Sequence, residues 1–147
     1  MSDCPDGRWR VARDGLLLYF AVAIGTLIGG VLRAAVSLAA IELAGQTIPW
    51  GTFVANAVGS FVIGFYAEIT GPDGRIFAGT RQRQFVMLGI CGGFTTFSVF
   101  SLETFQFASS GRYGVAALFV GASVIVWLSA VWAGHALATR LNRLGGT

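Results

Sequence analysis

One stretch limits what this chain can become: an apolar run from about Phe85 to Ser109 that carries Gly92 and Gly93 at its middle, then Thr95, Thr96, Ser98 and Ser101. About 20 apolar residues cross a bilayer core as a helix, so the run is long enough to span. Its centre resists a continuous helix, because each glycine costs about 1 kcal/mol relative to alanine. The hydroxyls that follow fall at a depth where water is scarce. Backbone without partners in hydrocarbon is costly, so a break there must be buried in protein or line a cavity. Two readings stay open on this stretch alone. A broken helix frees backbone carbonyls and aims them at a cation. Alternatively, small residues let helices pack closely while the hydroxyls bond back to their own helix.

The rest of the chain fits a membrane setting. Of 147 residues, 12% are charged and 54% hydrophobic; soluble domains carry about 25% charged residues. The 21 glycines form no linker and sit mostly inside apolar runs. The net charge of +3 comes from arginine alone, since there is no lysine. These arginines flank apolar runs without interleaved aromatics, so they speak for topology and against nucleic-acid binding. Cys4 and Cys91 make no disulfide framework, and both are read as free thiols. The first apolar run is too long and too embedded for a cleaved signal peptide.

In chain order, residues 1–14 are a polar, arginine-bearing tail, expected to be flexible. Residues 15–139 form an all-α membrane domain of four spans, at about 15–41, 51–69, 85–109 and 113–139, the third broken near Gly92–Thr96. Residues 140–147 are a short tail. In span one, Ala21, Gly25, Gly29 and Arg33 recur every fourth residue as a small-residue packing stripe that ends in a charge. Arg33 either reaches to the interface or stands as a cation near the end of an anion path. In span two, Thr52, Asn56 and Ser60 align on one face, as helix glue or as a pore lining. In span three, Phe97 and Phe100 share a face beside Ser98 and Ser101, with Glu103 a turn beyond. No His/Cys ligand spacing, phosphate-cradling loop or nucleophile–base set is present, and His135 stands alone in span four. An enzyme is not expected.

The segments GGFTTFSVF, GTFVANAVGSFVIG and GTLIGGVLR resemble the Fluc (CrcB-type) fluoride channel family across spans one to three and in the four-span length. The resemblance implies an antiparallel dimer of four-span subunits with two fluoride pores. It implies a structural sodium ion (Na+) at the break, held by backbone carbonyls that match Gly92 and Thr95. Phe97 and Phe100 match the pore phenylalanines, Asn56 the pore asparagine, and Thr52 and Ser98 the hydroxyls of the track. Glu103 matches a vestibule carboxylate and Arg33 the basic residue that ends span one. Ring edges carry positive partial charge and can face an anion, while amide and hydroxyl donors replace part of its costly hydration shell. Val99 stands where the family usually has threonine. Phe119, Trp127 and Val131 stand in span four where small or hydroxylated residues are common, leaving only Ser123 and Ser129, so one of the two pores is expected to be degenerate.

The function expected is passive fluoride export from the cytoplasm, which relieves fluoride toxicity. One competitor is a small four-span multidrug exporter, but coupling needs an ionisable group in span one, and only Arg33 is there. Another is a subunit that is inert without a paralogous partner. Arg8, Arg10, Arg13, Arg75, Arg81, Arg83, Arg140 and Arg143 fall on one side of a four-span topology, against Arg112 and Arg33. Positive residues in short loops favour the cytoplasm. The expectation is therefore a protein of a bacterial-type inner membrane with both termini cytoplasmic. That bias favours an antiparallel heterodimer with a related subunit over pairing with itself. Fluoride and membrane lipid are the other expected partners.

Overall fold

A computed structural model describes the backbone of residues 5–144 and the side chains of residues 9–144. Cys4 and residues 145–147 of the carboxyl tail lie outside the described residues. The described chain is helical throughout, in four segments long and apolar enough to cross a membrane. Helix α1 is Pro5–Ala44 and α2 is Trp50–Ile69. The third segment is composite: α3 (Thr80–Gln84), a π-helical stretch Phe85–Cys91, a single turn α4 (Gly92–Phe94) and α5 (Phe97–Ser109). The last helix, α6, is Tyr113–Leu144.

The amino-terminal segment differs from the flexible tail expected of residues 1–14. From Pro5 it is helical and continuous with the first span. Proline suits the first helical turn, where its missing N–H is no loss. At 40 residues α1 is about 60 Å long, twice a hydrocarbon core of about 30 Å. The carboxyl end departs likewise, since α6 carries Arg140 and Arg143 onward in regular helix. Helices α1 and α5 stop at glycines of positive φ, Gly45 at 75° and Gly111 at 76°, the left-handed terminus that glycine adopts without a Cβ clash.

The glycine stripe of α1 seats the broken segment. A Cβ on Gly25 would lie 2.7 Å from the Phe85 carbonyl oxygen, and one on Gly29 would lie 2.7 Å from the Phe94 nitrogen. Gly89 and Gly93 answer from the other side, against Gly25 and Thr26. The two backbones therefore touch, which only a glycine face permits. Helices α2 and α6 form the second tight pair, with Gly64 against Val131 and Gly134 against Phe61. Phe100, Phe107, Ala116 and Phe119 make a buried cluster where α5 meets α6.

The break falls at Thr95–Thr96, whose backbone is extended (φ/ψ −84°/155° and −149°/123°). The double glycine itself stays helical, Gly92 at −64°/−35°. Glycine at 93 serves the close approach to α1, and the β-branched threonines, which favour extended backbone, take the interruption. The π-helical stretch just before it carries one residue more per turn than an α-helix, as often happens beside functional sites.

Candidate functional site

The site is the interruption and what holds it open. Asn56, on α2 and nearly fully buried, grips Thr96 at both backbone groups. Its Nδ2 donates to the Thr96 carbonyl at 2.9 Å, and its Oδ1 accepts from the Thr96 N–H at 2.7 Å. One Nδ2 hydrogen remains for another acceptor. Thr96 then caps α5, its Oγ1 accepting from the Val99 N–H at 3.2 Å. On the other side of the break, Thr95 bonds back through both its N–H (3.0 Å) and its Oγ1 (2.9 Å) to the Cys91 carbonyl.

These bonds decide which carbonyls are left over. The N–H four residues after Gly92 belongs to Thr96 and is taken by Asn56. The N–H four residues after Thr95 belongs to Val99 and is taken by the Thr96 hydroxyl. The carbonyls of Gly92 and Thr95 thus lose their helical partners. The Gly93 carbonyl is instead taken by the Arg33 Nε–H, at 3.3 Å. Arg33 thus spends one of its guanidinium N–H groups on the broken segment. It closes the helix end of the break, a role that neither sequence reading of this residue contained.

Asn56, Gly92, Thr95, Thr96, Phe97 and Trp127 border a cavity of about 380 Å³, which also takes in Ser60 and Cys91. Cys91 is a buried free thiol, as read from the sequence. The two phenylalanines lie 5.7 Å apart between ring centroids, tilted by 52°. Their surroundings differ: Phe97 is 74% exposed and Phe100 only 5%. The Phe100 ring is held by Phe119 (5.3 Å) and by the edge of Trp127 (4.8 Å, 71°). Trp127 in turn donates from its indole N–H to the Phe53 carbonyl at 3.4 Å. Ser98 is exposed beside Phe97, its hydroxyl 3.2 Å from that of Thr96. Gly92, Phe97 and Ser98 all face outward from the subunit.

A second group lies nearer the opposite end of α2. Buried Thr52 donates to Glu103 Oε1 at 2.8 Å. Glu103 Oε2 is buried and has no hydrogen-bond partner among the described residues. Thr52 and Glu103 border a cavity of about 480 Å³ with Ser37, Gln106, Ser110 and Arg112. The polar stripe on α2 therefore faces span three along its length, with Thr52 at Glu103, Asn56 at the break and Ser60 beyond. The structure brings together Asn56, Gly92, Thr95 and Phe97, and separately Thr52 and Glu103. It sets Phe100 in the core on the far side of Phe97. Sequence reasoning missed the clamp on Thr96, the Arg33 bond and the Trp127–Phe100 contact. Only the polar stripe of Thr52, Asn56 and Ser60 on span two hinted at the first.

Known proteins resemble this chain over most of its length. A family model described as "CrcB-like protein, Camphor Resistance (CrcB)" matches residues 20–135. A protein of Rhodopseudomonas palustris named "Fluoride-specific ion channel FluC 1" is 58% identical over 92% of this chain and 96% of its own length. One of Bradyrhizobium diazoefficiens with the same name is 50% identical, covering 93% and 92% respectively. One of Opitutus terrae, named "Fluoride-specific ion channel FluC", is 48% identical over 88% of this chain and 98% of its own length.

Proposed function

This chain belongs to the CrcB-like family, and from that membership we propose that it is a fluoride-specific ion channel of the membrane, not an enzyme, exporting cytoplasmic fluoride without energy coupling. The observation that carries the reading is the Asn56 clamp. A buried amide spends two of its bonds holding Thr96 extended beside Phe97 and keeps one donor hydrogen spare.

Fluoride is small, so stripping its water is expensive. The spare Asn56 N–H, the Ser98 and Thr52 hydroxyls and the ring edges of Phe97 and Phe100 replace part of that shell with partial positive charge. A path built on partial charges binds weakly enough to release the ion, as conduction requires. Glu103, hydrogen-bonded to Thr52 in the larger cavity, marks the vestibule. Arg33 acts on the helix end and leaves the path to neutral donors.

The carbonyls of Gly92 and Thr95, deprived of helical partners by Asn56 and Thr96, fit a hard monovalent cation. Oxygen donors suit sodium. When bound, that ion supplies a fixed positive charge that raises the potential along an adjacent anion path. Two carbonyls do not fill a coordination shell, and Gly92, Phe97 and Ser98 face outward. A second subunit, antiparallel to the first, completes both the cation site and the pore walls. Trp127 and Phe119 against Phe100 support a partner that is a related chain rather than a copy, because they fill the span-four side of one pore. Both termini lie on the cytoplasmic side of a bacterial inner membrane.

Fluoride efflux from vesicles reconstituted with purified protein, alone and with a related subunit, tests the reading. Flux should follow membrane voltage. Flux abolished by collapsing a proton gradient at fixed voltage would rule out a channel and point to a carrier.

A further inference from the structure

The end of the subunit where α1 begins and α6 finishes carries a surface that the ion path does not use. Arg81 reaches Asp14 at 3.9 Å, and the Arg75 N–H donates to Asn142 Oδ1 at 3.0 Å, so α1, the α2–α3 loop and α6 meet there. The loop displays Ile76 at 48% and Phe77 at 100% exposure. It is also pinned. The Ile76 N–H bonds to the Ile69 carbonyl at 3.0 Å, the Arg83 guanidinium donates to the Thr70 carbonyl, and Arg75 is tied to α6. A fully exposed phenylalanine on a loop tied down at three points is held out, not left slack. Trp9 and Val11 stand similarly exposed, at 77% and 75%, on the part of α1 beyond the hydrocarbon length.

Around these apolar tips lie Arg10, Arg13, Arg75, Arg81, Arg140 and Arg143, all exposed. Among the described side chains the acids at this end are fewer: Asp14 is engaged by Arg13 and Arg81, Glu68 lies 3.3 Å from His135 Nδ1, and Asp73 is the third. Apolar tips ringed by guanidiniums match one occupant in charge and in layering. Acyl chains lie beneath a plane of phosphates, arginine fits phosphate in a fork geometry, and tryptophan favours that boundary.

We propose that this end of the subunit is a docking surface for anionic phospholipid, with Phe77 and Ile76 seated at the acyl boundary and the surrounding arginines on the headgroup phosphates. The surface works independently of fluoride conduction, so its test needs no flux.

The full chain, purified in nonionic detergent, is offered phosphatidylglycerol or phosphatidylcholine, and retained lipid is counted by native mass spectrometry. Wild type should hold phosphatidylglycerol about tenfold more tightly, with the preference shrinking as salt is raised. R75Q/R81Q/R140Q should lose the preference while keeping the wild-type helical circular dichroism spectrum. R75K/R81K/R140K should keep most of it. Phe77→Ser should lower retention of both lipids and leave their ratio unchanged. Equal retention of the two lipids by wild type, or an intact preference in the triple glutamine variant, would overturn the proposal. So would a triple variant whose only change is the number of subunits in the assembly, which would mean that a second copy covers this face.

Discussion

Phe97 and Phe100 are three residues apart and touch, yet the protein treats them differently. Replacing either with isoleucine keeps the site apolar and removes the ring edge. Fluoride flux should fall at least tenfold in both variants, measured as efflux from vesicles. Stability should separate them. Phe97 is mostly exposed, so Phe97→Ile should melt near wild type. Phe100→Ile forfeits ring contacts with Trp127 and Phe119, each worth about 0.5–1.5 kcal/mol beyond simple burial, and should melt lower. Asn56→Ala is the more severe change. It leaves the Thr96 N–H and carbonyl unpaired at about 1–3 kcal/mol each, so both melting temperature and flux should drop. Wild-type flux in Asn56→Ala would remove the clamp from any account of the path.

At the scale of elements, the α1 stripe and the π-helical stretch behave as one unit. Gly29→Val would drive a branched side chain into the Ile90 carbonyl and the Phe94 nitrogen, both rigid backbone. Overpacking of this kind costs about 1–3 kcal/mol where neighbours can yield; here they cannot, so the variant should lose folded yield in detergent. Gly30→Val is the control, because no atom lies near a Cβ there. The stripe was legible in the sequence because fourfold spacing of small residues has one geometric meaning on a helix. The span lengths were less so. Periodicity ends where polarity begins, whereas a helix continues until something stops it, and the described helices run back to Pro5 and on to Leu144. The π-helical stretch left no trace, since FVMLGIC reads as ordinary apolar helix. The break was visible as a region but misread in its cause. The glycines drew attention, while the threonines and a side chain from another helix carry the interruption. The residue types around the break were legible, and the pairings of Asn56 with Thr96 and Arg33 with Gly93 were not, because contacts 40 and 60 residues apart leave no local pattern.

At the scale of the whole molecule, the arginine distribution predicts how the chain lies in the membrane. With basic residues concentrated at the end where α1 begins and α6 finishes, this chain expressed alone should insert one way. A reporter on the carboxyl terminus should label from the cytoplasmic side only, and flux should require a related subunit of opposite bias. Two-sided labelling together with flux from this chain alone would instead establish pairing with itself.

The Asn56 clamp has a consequence for biogenesis. Synthesis runs from the amino end, so the amide that fixes the break is laid down 40 residues before the backbone it fixes. When Thr96 is made, its partner amide is already part of the chain. The interruption is then specified by an earlier segment of the chain and not by the third span alone.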